Sequence, residues 1–363
     1  MARVLHIGSR KGLITFAPAA GDWKIRETAF LGEPVTALLY DDRDDTLYAA
    51  LNLGHFGIKL HRSDDGGATW TELPAPAFPK ADEGEEENAP SVEVIWSLAA
   101  GGPDEPGTLW AGTIPGALFR SDDRGESWSL VESLWNRPER PKWMGGGYDS
   151  PGIHSICVDP RDSCRIVLGI SSGGVWTSDD RGESWTLSTG LRNAYMPPGQ
   201  EYDPVVQDPH RLAICPADPD VVWCQHHNGI FRSTDGGLTF TEIEPDAPSL
   251  FGFAVAAHPD DPETAWFVPA VKDEYRVPVD GRMLVTKTTD GGKTMDILSR
   301  GLPDRNCYDL VYRHGFALDA QDMRFAMGST TGNLWIGENA GTDWQSLSVH
   351  LPPIAQVIWG APA

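Results

Sequence analysis

One eight-residue phrase recurs along the chain and constrains what it can fold into. It reads Ser63-Asp64-Asp65-Gly66-Gly67-Ala68-Thr69-Trp70, and returns as Ser121 to Trp128, Ser178 to Trp185 and Ser233 to Phe240. A looser copy runs from Thr288 to Met295, a degenerate one ends at Trp344 with Asn339 in the aspartate's place, and a fainter one ends at Trp23. The third-position residues Asp65, Asp123, Asp180, Asp235, Asp290 and Asn339 follow one another at intervals of 49 to 58 residues. A period of that size marks stacked supersecondary units, none of which can bury its own apolar faces, so the units close into a ring.

Each unit reads as four strands. Behind the third phrase stand "SICVDPRD" and "RIVLGIS-SGGVWTS", which are a short apolar strand, a polar Asp-Pro turn, a second strand and a third that runs into the phrase. The innermost strand recurs as "RLAICPADPD", "AVAAHPDDP", "SLAAGGPDEP", "ALLYDDRDD" and "GFALDAQD". A further blade forms if the opening "RVLHIGSRKGLITF" pairs with the closing "IAQVIWG". The expectation is an all-β, seven-bladed propeller, one domain over residues 1–363, with its terminal blade closed by strands from both ends of the chain.

The phrases resemble the Asp-box, or BNR, repeat (Ser-x-Asp-x-Gly-x-Thr-Trp) of sialidases, sortilin-like propellers and photosystem-assembly propellers. That resemblance implies the fold and names no activity. The box aspartates are expected to be structural: the carboxylate closes the turn, the glycine supplies a positive φ, and the tryptophan packs between blades.

The boxes lie in turns between third and fourth strands, so the start of each innermost strand falls on the opposite face. Aligned on Pro160, the residues entering those strands are Thr36, Trp96, His154, His210, Phe253 and His314. Three of these six are histidines in a chain that has only ten. The turn carrying His226 and His227, the insertions Asn52 to Lys59 (with His55) and Lys272 to Arg282, and two long connections ahead of His154 and His210 reach the same rim. Loops of that length in a compact fold usually carry function.

Converging neutral imidazoles suit one transition metal ion, Zn, Fe, Cu, Ni or Mn. His154, His210 and His227 are the expected ligands, with His314 or a carboxylate such as Glu201 or Asp203 beside them, in a metal-dependent reaction on a small molecule. Glycoside hydrolysis or glycan binding is the alternative. Tyr275-Arg276-Val277-Pro278 is similar to the Phe/Tyr-Arg-Ile-Pro motif of sialidases, although it follows the fourth box instead of preceding the first. The resemblance would make Arg276 a carboxylate ligand with Arg10, Arg282 or Arg313, Tyr308 or Tyr275 a nucleophile, and Glu274 its base. Trp96, Trp143, Tyr148, Glu201 and His55 are the candidate substrate contacts. The third alternative is a non-catalytic interaction platform built on rim aromatics such as Trp143, Tyr148, Tyr195 and Met196. His6, His61, His258 and His350 are expected to pack or face solvent.

Composition narrows the partners. With 29 Lys+Arg against 52 Asp+Glu, a net charge of −23 repels nucleic acid and anionic membrane. No Gly-rich phosphate loop precedes a helix, so no nucleotide cofactor is expected. The opening residues lack a signal peptide's apolar stretch, and the five cysteines are unpatterned, which together lead to the expectation of a cytoplasmic protein with reduced thiols. The oligomeric state is left open.

Overall fold

The computed structural model describes residues 3–80, 89–146 and 148–362. Seven antiparallel four-stranded sheets follow one another along the chain. The first blade holds Val35–Asp41, Thr46–Asn52, Ile58–Ser63 and Thr71–Leu73, from the axis outward. Five more of the same order begin at Val94–Ala100, Ile153–Asp159, Pro209–Cys215, Gly252–Ala257 and Phe316–Asp319. The last combines Ile354–Pro362, innermost, with Arg3–Ser9, Gly12–Ala19 and Asp22–Ala29. Leu5 lies opposite Trp359 and Ile7 opposite Val357, so the two ends of the chain close the ring as the sequence predicts. The seven innermost strands pack against one another in order round the axis. Among the described residues the α-helical content is Glu132–Trp135.

The repeated phrase makes the same turn each time. At the first, Asp65 Oδ1 accepts from the Ser63 hydroxyl at 2.7 Å and the Thr69 amide at 2.8 Å, and Oδ2 from the Thr69 hydroxyl at 2.6 Å. Gly67 adopts a φ of 98°, a conformation that would strain any side-chain-bearing residue. Trp70 Nε1 donates back to the Gly67 carbonyl at 3.0 Å. Asp123, Asp180, Asp235 and Asp290 repeat the arrangement. At Asn339 the pattern changes, and the amide donates to Asp343 at 3.0 Å instead.

The core is a set of inter-blade layers rather than one central mass. The second strands contribute Tyr48, Trp110, Trp223, Trp266 and Phe325, all fully buried between neighbouring sheets. Polar staples add to this: Arg43, paired with Asp41, donates to the carbonyls of Gly101, Gly102, Glu105 and Thr108 in the next blade. All five cysteines are free thiols.

Candidate functional site at the channel mouth

The register between first and second strands slips at the mouth of the channel. The unpaired residue is Thr36, Trp96, His154 and His210 in four blades, Phe253 lies in the slip of a fifth, and Ala355 takes the same place in the closing blade. His314 completes the ring just ahead of its own strand, its carbonyl accepting from the Val357 amide at 2.9 Å. A β-bulge turns one side chain out of the alternating pattern. Here it aims equivalent side chains from successive blades into one space.

Above this ring opens a cavity of about 1240 Å3. Its lining includes the aromatic rings of Phe56, Trp96, Tyr148, Phe253 and Tyr312, and the three arginines Arg10, Arg276 and Arg313. Tyr148 stands edge-on to Trp96 at 5.4 Å between centroids. Arg276 pairs with Asp273, donates to the Tyr312 hydroxyl at 3.2 Å and lies 5.4 Å from the Phe253 ring. Glu33 is the one carboxylate among the described lining residues.

Arg313 is the least ordinary of these groups. Its side chain is 7% exposed and its guanidinium lies between the faces of Trp96, at 4.9 Å, and Phe253, at 5.4 Å. Among the described residues it has no ion pair, and its buried Nε has no hydrogen-bond partner. Burial pulls its pKa down to about 10, opposed by the Asp208 charge. A buried guanidinium normally has a carboxylate or phosphate against it, because desolvation of the charge is otherwise uncompensated.

The histidines divide into two groups. His314 Nε2 lies 2.8 Å from the His154 carbonyl, across the channel, and Arg211 donates to the same oxygen at 3.1 Å. His154 is fully buried with Nδ1 2.9 Å from the Ser155 hydroxyl. Burial, reinforced by nearby arginines, holds both imidazoles well below their usual pKa, so they plug the channel as neutral rings. His210 and His227 instead meet Asp208, whose Oδ2 is 3.7 Å from His210 Nε2 and 3.2 Å from His227 Nδ1. One nitrogen or oxygen from each of these three residues lies within 4.8 Å of the others. Burial raises the Asp208 carboxyl, but the close approach of the two imidazoles and the Arg313 charge outweigh it and hold the carboxyl well below its usual range.

The expected four-histidine set is therefore corrected. His154 and His314 stand apart from the cluster, and the third member alongside His210 and His227 is Asp208, not Glu201 or Asp203. Glu201 accepts from the Gly199 amide at 2.6 Å within its own loop, and Asp203 caps the short turn Pro204–Val206. Trp143 is corrected too: it is 6% exposed and packs edge-on against Trp176 at 5.8 Å, in the core beneath the loop. Trp96, Tyr148 and Arg276 do line the cavity, joined by Arg10 and Arg313. Glu274 pairs with Lys272 at the surface, Tyr308 is 71% exposed, and His55 lies tilted against Phe56; none of the three lines the cavity. The Asp208-Pro209-His210 triplet was the available signal for Asp208, a carboxylate two residues ahead of a mouth histidine.

No protein-family model matches the chain. Among curated proteins it is similar to a xyloglucanase of Hypocrea jecorina, with 23% identity over 69% of this chain and 27% of that one. An oligoxyloglucan-reducing end-specific xyloglucanase of Emericella nidulans is 24% identical over 83% and 32%. The chain thus spans about a third or less of the length of these relatives. Among solved structures it superposes on the GH74 xyloglucanase from Xanthomonas campestris with a TM-score of 0.65 and 18% identity, over 96% of this chain and 53% of that one. YCF48 from Cyanidioschyzon merolae gives a TM-score of 0.56 at 17% identity, over 91% and 90%. At these identities the solved structures share the fold. The propeller scaffold is therefore common to carbohydrate-cleaving enzymes and to proteins with other names, and function has to be sought in the cavity.

Proposed function

We propose that the channel-mouth cavity binds a glycan and that the chain is a propeller of the glycoside-hydrolase kind, with a xyloglucan-like oligosaccharide as its ligand. The observation that carries this is the lining: Phe56, Trp96 and Tyr148 offer apolar faces, interleaved with Arg10, Asn52, Arg276 and Thr330 as hydrogen-bonding groups. A sugar ring presents the complementary pattern, with C–H faces that stack on aromatic rings and hydroxyls around the edge. The curated relatives named as xyloglucanases support the same substrate class. Hydrolysis of the common kind needs two carboxyl groups flanking the bond. Glu33 is the candidate for one of them, and its partner has to come from beyond the described lining residues. The cavity lining and the curated relatives support the glycan reading over metal-dependent turnover of a small molecule.

Arg313 favours a second reading, in which the glycan carries a carboxylate. A uronate placed over the Trp96–Arg313–Phe253 stack would supply the missing counter-charge.

Calorimetric titration with a neutral xyloglucan oligosaccharide and with an oligogalacturonide tests both. We expect saturable binding that weakens at least tenfold in Trp96→Ala, and release of reducing ends that is abolished in Glu33→Gln. Preference for the oligogalacturonide, lost in Arg313→Gln, would select the second reading. No binding of either sugar at millimolar concentration would refute both.

A further inference from the structure

Beyond the glycan cavity lies the cluster formed by Asp208, His210 and His227, which the proposed function does not use. We propose that these three residues hold one divalent first-row transition metal ion, through His210 Nε2, an Asp208 carboxylate oxygen and His227 Nδ1.

Hydrogen-bond chemistry at His210 carries the inference. Its Nδ1 lies 2.6 Å from the Gly252 carbonyl, an oxygen that only accepts, so the proton of a neutral ring sits on Nδ1. Nε2 is then a bare lone pair, and it faces Asp208 Oδ2 at 3.7 Å. Two lone pairs facing each other in a buried site call for positive charge between them. A carbonyl fixing the far nitrogen of an imidazole is also the usual outer-shell support of a ligating histidine. His227 Nδ1 approaches the same carboxylate oxygen at 3.2 Å from the adjoining turn, whose position is tied by the bond from the His227 amide to the Asp208 carbonyl at 3.0 Å. Asp208 Oδ1 is held separately by the Ser172 amide at 3.2 Å, which leaves Oδ2 for the ion. Two imidazoles and one carboxylate are a donor set suited to zinc, manganese, iron or cobalt, and they leave coordination positions for other ligands.

The surroundings fit a supported site. Phe253 stacks on His210 at 4.3 Å, Phe251 stands edge-on to both imidazoles, and Tyr195 stands edge-on to His227 at 5.0 Å, which together limit ring rotation. On the side of the cavity the neighbour is Gly146. A Cβ there would crowd the Ser171 hydroxyl and lie 3.1 Å from Asp208 Oδ1, so a side chain at this position would have to push both groups aside. The buried Ser171 hydroxyl, beside the cluster, has no hydrogen-bond partner among the described residues.

The competing arrangement is a plain ion pair of a protonated histidine with Asp208, with no metal. Full-length protein, purified on a tag that does not bind metal and stripped with chelator, distinguishes the two when titrated with Co2+ alone and with Zn2+ alone. We expect one Co2+ per chain, visible d–d absorption of nitrogen and oxygen coordination, displacement by Zn2+ and a melting temperature raised by several degrees. His227→Gln, at a partly exposed position, and Asp208→Asn should each weaken Co2+ binding at least a hundredfold, while His350→Gln leaves it unchanged. Protein that shows no d–d bands and no thermal shift with millimolar Co2+ or Zn2+ overturns the proposal, whether or not the variants fold. So does undiminished binding in a folded His227→Gln. Sugar titrations of the metal-free protein report on the glycan site separately, so either proposal can fail alone.

Discussion

At the scale of single residues, the turn aspartates show how a short side chain sets both geometry and acid response. Asp65 is held at about 2 by bonds from the Thr69 hydroxyl and amide, and Asp290 at about 2 by those of Thr294. Hydrogen bonds from Ser127 and Ser184 lower Asp123 and Asp180 in the same way. A carboxyl whose folded pKa lies below its unfolded value, about 3.9, stabilises the fold above that value. The contribution is lost as pH falls through the folded pKa. We therefore expect the melting temperature to drop steeply between about pH 4 and pH 2. The double variant Asp65→Asn/Asp290→Asn should melt lower at pH 7 and show a shallower fall over that window. Thermal scans at both ends would check it; an unchanged acid slope would mean that other carboxylates govern the acid response.

At the scale of elements, the loop between Leu130 and Ile153 is an anchored arm. Trp143 sinks into the layer with Trp176, and the Met144 amide donates to the Ser172 carbonyl at 3.0 Å. These contacts fix the root of the segment that carries Gly146 and Tyr148 to the cavity. Truncating a buried tryptophan to alanine costs about 3–5 kcal/mol when the loss is felt globally. If the arm detaches locally, the global cost is smaller. Trp143→Ala is expected to weaken ligand binding through Tyr148 and to open the bond after Lys142 to trypsin before the rest of the chain is cut, since Arg137 and Arg140 are each followed by a proline. Wild-type proteolysis kinetics after Lys142 in the variant would show that the arm is held by something else.

At the scale of the whole molecule, the ring depends on one strand. Ile354–Pro362 pairs with Arg3–Ser9 and packs against both neighbouring innermost strands, and it supplies Ile354, Val357 and Trp359 to a buried layer. A chain ending at Pro353 leaves Arg3–Ser9 as an unpaired edge against an open channel, a template for association. We expect it to lose the cooperative thermal transition and to elute as aggregate in size-exclusion chromatography, whereas removing only residues 1–2 changes neither. A monomeric, cooperatively melting truncation would show that six blades suffice. The blades, the closure and the turn aspartates were all legible in the sequence. They rest on local rules repeated at a fixed period: turn chemistry, strand alternation and complementary ends. The mouth face was legible for the same reason, because equal register in successive units places Trp96, His154, His210 and His314 at one level. Their partners were not. Seven positions at one level face one another across a channel, and which side chains meet depends on how the blades are set round the axis and on the direction each bulge gives its residue. That setting sends His314 to the His154 carbonyl and leaves Arg313 between two aromatic faces, while within single blades the bulge and the adjoining turn bring Asp208 to His210 and His227, and the anchored arm turns Trp143 from the rim into the core. Sequence alone determined the ring and the level of the site; the tertiary structure decided which residues converge there, because convergence is set by the packing of units far apart along the chain, as at His154, His314 and Arg313, and by the direction a bulge and turn give their side chains, as at Asp208.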